Sequence, residues 1–202
     1  RQLAALPLPP QLGLILLSSV SFNCVEEALT LVSMLSAEAT LTTPFCISRG
    51  KAAALKKARK TIIDSSSDHL TLIKAYQLWT QAADPHAFCR EVGLSNSSML
   101  LARRIRGQLE DALKALGVST PQHPTPAAAA AAAATAAATA AVEEGLSSSQ
   151  QQALNFKRNL TKSCWQQAAY YQPETRQYIT AVNRQTAKIH PTSVLADAPQ
   201  PP

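Results

Sequence analysis

The strongest periodic signal in the chain runs from Asp64 to Trp79. Leu72, Ala75, Tyr76 and Trp79 recur at three- and four-residue intervals, so they share one face of a helix. Ser65 to Ser67 read as loop, because short hydroxyl side chains compete for nearby backbone groups. Asp68 is then the predicted N-cap, its carboxylate accepting orphan amides of the first turn. Further helices follow from the same period. One runs from Pro10 to Ser18. A second runs from Asn23, as N-cap, to Ser36, with Ala28, Leu31, Val32 and Leu35 facing inward. Its first turn holds Glu26 and Glu27, where negative charge suits the helix dipole. A third spans Gly50 to Ile63. Asp84-Pro85 opens a short helix that Gly93 closes. Ser97 to Leu116 is the longest, with Leu101, Ile105, Leu109, Ala112 and Leu116 in one stripe and Gly117 as its stop. The last runs from Ser149 to about Cys164 around Leu154, Leu160 and Cys164.

After Cys164 the period shifts toward two. Ala168–Gln172, Gln177–Val182 and Thr186–Ile189 read as short strands, joined by turns at Pro173-Glu174-Thr175 and Asn183-Arg184-Gln185. At the other end, Pro7, Pro9 and Pro10 predict an extended stretch over residues 1–10. Thr42 to Ser48 reads as loop. Pro121, Pro124 and Pro126 lead into an Ala/Thr tract from Ala127 to Ala141. This tract has no apolar face beyond methyl groups and reads as a low-complexity linker.

Composition narrows the function classes. The 202 residues carry a net charge of +6, which suits an anionic partner without naming one. From Arg49 to Ile63 there are six basic residues and no acid. Lys56, Lys57 and Lys60 cluster on the helical wheel opposite Leu55 and Ile62. Like charges at that spacing cost a few tenths of a kcal/mol per pair, so something else is expected to favour the cluster; an anion contact is one reading and a solvated face is the plain alternative. Cys24, Cys46, Cys89 and Cys164 form no Cys-x-x-Cys, which fits a reduced intracellular compartment. Leu12 to Leu17 is too short to span a bilayer and lacks the flanks of a signal peptide. The chain begins at Arg1 rather than Met, which suggests a fragment or a processed product.

No catalytic constellation emerges. A phosphate-cradling loop needs Gly-x4-Gly-Lys-Ser/Thr, and the single Gly-Lys pair, Gly50-Lys51, lacks the earlier Gly and the hydroxyl. His69 reads as a structural imidazole. His86 and Cys89, three apart, are two ligands short of a zinc site. The residues that face a partner are the basic ones: Lys56, Lys57 and Lys60, then Arg103, Lys157, Arg158 and Lys188. Arg103 and Arg106 share an outer helix face with Glu110. Tyr170, Tyr171 and Tyr178 fall on predicted strands, where they either stack on bases or pack the sheet; both readings stay open.

Several stretches resemble one family in order and spacing. Ser67-Asp-His-Leu-Thr-Leu72, followed by Tyr76 and Trp79, is similar to the Gly-Asp-His-Leu-Thr-Leu segment of the helicase-associated domain of DEAH-box RNA helicases. Leu6-Pro-Leu-Pro-Pro10 and Phe22 to Ser36 resemble that family's Leu-Pro-Leu-x-Pro, Cys-x-Glu-Glu and Met-Leu-Ser pattern. Ala102 to Leu109 resembles its Arg-x-Gln-Leu helix. Ile189-His-Pro-Thr-Ser-Val-Leu195 is similar to the start of its OB-fold. Ser67 stands where the family has Gly, and the Ala-rich insert separates the matching blocks.

The resemblance implies a mainly α fold: the end of a winged-helix region at 1–10, a helical ratchet-type bundle at 11–118, an Ala-rich linker at 119–148, and a partial antiparallel β OB-fold at 149–202. It implies single-stranded RNA as partner, contacted through Lys56, Lys57, Lys60, Arg103, Lys157, Arg158, Tyr170, Tyr178 and Lys188. It further implies attached motor domains that use ATP and magnesium, an activator protein at the OB part, and a nuclear or nucleolar, non-membrane setting. The chain itself is expected to hold no cofactor and to do no catalysis. The rival reading is a non-catalytic helical protein-interaction module.

Overall fold

The structure, a computed structural model, describes residues 2–40, 58, 60–118, 147–175, 177–190 and 193–196. Among them are seven α-helices: α1 (Gln2–Ala5), α2 (Pro10–Ser18), α3 (Val25–Thr40), α4 (Asp68–Gln81), α5 (Pro85–Val92), α6 (Asn96–Ala115) and α7 (Ser148–Ser163). A 3-10 turn at Trp165–Gln167 leads into β1 (Ala169–Gln172), β2 (Gln177–Thr180) and β3 (Thr186–Ala187). These form one antiparallel sheet in the order β1-β2-β3, so β1 and β3 are its edges. The fold is therefore mainly helical with a small sheet at its end. The chain divides into two compact units, Arg1–Ser33 with Arg103–Trp165, and Met34–Ala102 with Gln166–Pro202.

The first unit is built on an aliphatic core. Leu6, Ile15, Leu16, Val25, Ala28, Leu29, Val32, Leu109 and Leu113 are buried together, with Ile105, Leu160 and Cys164 packed against them. Helix α7 packs on α2, and its Phe156 is fully buried. The same helix buries a polar residue, Asn159. Its Nδ2 donates to the Ile15 carbonyl at 3.0 Å, and its Oδ1 takes the hydroxyl of Ser18. Ser163 completes the group, its Oγ 2.8 Å from that of Ser18. A buried amide with these partners favours one register, because a slip would strand the amide itself.

Four local expectations change here. Residues 2–5 are helical rather than extended, because the prolines begin only at Pro7 and leave Gln2 to Ala5 unconstrained. The close approach of Leu3 to Gly13 fills that corner: a Cβ on Gly13 would lie 2.8 Å from Leu3 Cδ1. Asn23 does not cap α3. It takes a left-handed backbone, φ 51°, which Asn tolerates better than most residues, and the helix starts at Val25 and runs on to Thr40. Leu35 is only half-buried, while Met34 is in the interior. Arg106 is not on an outer face: it turns inward and bridges Glu26 of α3 and Glu110 on its own helix. Gly117, at φ 68°, ends α6 as expected, its amide donating to the Lys114 carbonyl at 3.0 Å.

Glu27, in the first turn of α3, has its carboxyl pushed above the usual range, chiefly by burial, with Glu26 adding to the push. The folded value then exceeds the unfolded one. The penalty for ionising it is complete above the folded pKa and gone below the unfolded one. Glu27→Gln should therefore raise the urea midpoint at neutral pH. The gain should vanish as pH falls below 4.5, the ordinary glutamate value, and a midpoint series across that range measures it.

In the second unit α4 buries Leu72, Ala75, Tyr76 and Trp79, the face that the spacing predicts. The rings of Tyr76 and Trp79 sit 5.6 Å apart. Helix α5 follows the expected chemistry: the Asp84 carboxylate accepts from the Ala87 amide at 3.0 Å, and Gly93 closes the helix at φ 71°. The predicted helix from Gly50 to Ile63 and the loop at Thr42 to Ser48 lie largely outside the described residues. Its final residues, Lys60 to Ile62, form a turn, with the Thr61 amide on the Ala58 carbonyl at 3.3 Å. The Ala-rich tract lies outside the described residues too.

Candidate nucleic-acid interface

The sheet forms where tyrosines and the β-branched Ile179, Thr180 and Thr186 gather, and its register sorts the side chains onto two faces. Tyr171 pairs with Tyr178, which pairs with Ala187. The two tyrosine rings lie 5.3 Å apart and half-buried, so on this face they pack against each other. Tyr170 pairs with Ile179, which pairs with Thr186, on the opposite face. Tyr170 is 51% exposed. Lys188 is exposed two residues beyond Thr186. Of the two tyrosines singled out as contact candidates, Tyr170 is thus available to a ligand and Tyr178 is taken up by packing.

The β2–β3 loop closes tightly. Thr180 exchanges backbone and hydroxyl bonds with Gln185: its amide donates to the Gln185 carbonyl and its Oγ1 accepts the Gln185 amide, both at 2.9 Å. The closure forces Arg184 to φ 51°. A non-glycine residue there costs on the order of 1 kcal/mol. Arg184 is exposed at that loop. Residue type alone did not single it out; its left-handed backbone does, since strain of this kind concentrates at contact sites.

The remaining candidates are scattered. Lys60 is exposed in the turn before α4, and Lys56 and Lys57 lie outside the described residues. Arg103 is exposed on α6, beside Arg104, which is equally exposed. Lys157 and Arg158 are half-buried on α7, and Arg158 is engaged by a neighbour. Cys24 and Cys89 are buried; burial pushes their thiols to about 12 and about 11, the Glu27 carboxylate contributing at Cys24, so neither is a thiolate nucleophile at neutral pH. His86 is exposed while Cys89 is buried, so the two do not converge. Among the described residues no three His, Cys, Asp or Glu come together to hold a metal. No helix among them is long and apolar enough to cross a membrane.

The start of α4 differs from its predicted capping. Ser67 is the cap residue, and no side chain caps the helix. Its φ of −167° is ordinary extended backbone, so a Ser in place of the family's Gly brings no strain. Thr71 secures the loop instead, accepting the Asp64 amide at 2.9 Å and donating to the Ser67 carbonyl at 3.0 Å. Asp68 lies in the first turn, with its carboxylate aimed away from its own helix. It accepts the Ser193 hydroxyl at 2.6 Å and the Val194 amide at 2.8 Å. Two of the stretches that carry the family resemblance, Ser67–Leu72 and Ile189–Leu195, are therefore bonded to each other.

Comparison with known proteins agrees. Residues 9–72 match the family model described as helicase associated domain (HA2), ratchet-like. The chain is 29% identical to the ATP-dependent RNA helicase DHX33 of Homo sapiens over 96% of this chain and 23% of that protein. Residues 9–72 thus carry the ratchet-like helicase-associated domain. The chain is also 37% identical to the ATP-dependent RNA helicase homolog DQX1 of Mus musculus, over 56% of this chain and 15% of that protein. It is 29% identical to the putative pre-mRNA-splicing factor ATP-dependent RNA helicase DHX32 of Homo sapiens, over 93% and 23%. The chain spans less than a quarter of the length of these relatives. The family model covers α2, α3 and the start of α4; the two longer matches run on through the sheet.

Proposed function

We propose that this chain is the accessory RNA-contacting region of an ATP-dependent DEAH-box RNA helicase, and that its sheet is the first part of an OB-fold. It contacts single-stranded RNA without reading sequence, through phosphates and one stacked base. ATP and magnesium belong to motor domains, since the residues here offer no phosphate loop: Gly50-Lys51 lacks the flanking Gly and hydroxyl. An activator protein meets the OB part, and the site of action is nuclear or nucleolar. The observation that carries the reading is the solvent-facing Tyr170 ring with the Lys188 and Arg184 cations exposed on the same small sheet. An aromatic platform with nearby cations is the chemistry of sequence-tolerant single-strand binding.

The test is a titration of the full chain with a fluorescent single-stranded RNA across a salt series. Tyr170→Ala should weaken binding about 5- to 100-fold, the range for removing one base stack. Lys188→Glu with Arg184→Glu should lower the slope of log K against log salt by about 0.7 for each phosphate no longer neutralised. Reversing Lys56, Lys57 and Lys60 should do the same, since these are the further phosphate contacts of the reading. Affinity and slope that ignore all of these changes would remove RNA from the account. That result would favour a helical protein-docking module, for which Trp165, 58% exposed at the end of α7, is the natural anchor.

A further inference from the structure

We infer that Asp68 is a positioning residue whose carboxylate clasps the turn that follows the sheet, and that this clasp fixes the orientation of the turn. The geometry is specific. Both oxygens of one carboxylate are used, one on the Ser193 hydroxyl and one on the Val194 amide. The turn is shaped to present those donors. Ser193 donates its amide to the His190 carbonyl at 2.9 Å, and its Oγ accepts the Leu195 amide at 3.2 Å. The hydroxyl proton is thereby left for Asp68. Donors converging on an ionised acceptor make the stronger class of hydrogen bond. Val194 and Leu195 are half-buried, so apolar contact supports the turn while the two hydrogen bonds set its orientation.

Asp68 also forgoes the role its position invites. A carboxylate at a helix start normally takes the first-turn amides. Here no side chain caps α4, and Thr71 ties down the preceding loop. The helix start therefore does not depend on Asp68, while the turn does. A turn aimed by one side chain can be re-aimed through that side chain alone. That makes it a joint between α4 and the chain that leaves the sheet through Lys188 and His190. This inference does not rest on RNA being the ligand.

Amide hydrogen exchange on the full chain tests it, read residue by residue. In Asp68→Ala the Val194 and Leu195 amides should exchange about 10- to 100-fold faster, as expected for losing hydrogen bonds to an ionised group. The amides of α4 from Leu72 onward should keep their protection. Ser193→Ala is the gentler variant: Leu195 should speed up and Val194 should retain part of its protection. The double variant should exchange at Val194 no faster than Asp68→Ala alone. Unchanged exchange in Asp68→Ala would overturn the clasp. So would equal loss of protection along α4, which would make Asp68 an ordinary helix cap, or strictly additive effects in the double variant.

Discussion

Phe156→Ala should cost the chain about 3–5 kcal/mol of stability, the range for emptying a large aromatic site in a packed interior. Phe156 has no exposed surface at all and lies on the helix that packs on α2. Its neighbour on the same face of α7, Asn159, is as deeply buried and spends its amide on Ile15 and Ser18 of α2. The two residues attach α7 to the aliphatic core by different physics. Phe156 supplies apolar area and volume. Asn159 supplies orientation, since any other register leaves its own buried amide without partners. Asn159→Leu should accordingly destabilise although it adds apolar surface, by about 1–3 kcal/mol for the two hydrogen bonds lost. Urea unfolding followed by far-UV circular dichroism measures both. A Phe156→Ala protein within 1 kcal/mol of wild type, on the order of a surface change, would detach α7 from the core of the first unit.

The contrast between those residues explains what the sequence could and could not disclose. Helix existence was legible wherever apolar spacing was strong and a turn residue marked the end. The α4 face, the Asp84 cap, and the stops at Gly93 and Gly117 all follow from local rules that the tertiary structure left alone. Helix α7 was legible too, but only part of its core was. Leu160 and Cys164 from its periodic signal pack against the core, while Phe156 and Asn159, which the period did not single out, take its fully buried positions. A buried Asn is invisible to hydrophobic periodicity, because it is justified only by partners more than 140 residues away in the chain, at Ile15 and Ser18. Asp68 misled for the same reason. Its residue type and position satisfy every local capping rule, and a donor pair from beyond the sheet wins the carboxylate. Arg106 was read outward because only its i+4 acid, Glu110, lies nearby in sequence; Glu26 comes from α3. The contact surface was half legible. Residue type and period two flagged Tyr170 and Lys188, but the alternation that separates Tyr170 from Tyr178 appears only once the register is fixed.

Trp79 makes the sharpest test of the second unit, because its volume and its polar atom should act in opposite directions. The side chain is 2% exposed, and among the described residues its indole N–H is buried without an acceptor. Trp79→Ala should lose about 3–5 kcal/mol through the cavity it opens. Trp79→Phe removes part of the ring, and with it the unanswered donor. A buried donor with no partner itself costs about 1–3 kcal/mol, so relieving it offsets much of the packing that the smaller ring gives up. The net cost of Trp79→Phe should therefore stay within about 1.5 kcal/mol, the lost packing being partly offset by removal of the unpaired donor. The tilted stack on Tyr76 survives in that variant, since it needs only an aromatic ring at the position. Protection of the α4 amides in hydrogen exchange reads both substitutions within the unit concerned. If Trp79→Phe proved as damaging as Trp79→Ala, the indole N–H would have to be holding something essential, and the packing account of this helix would fall.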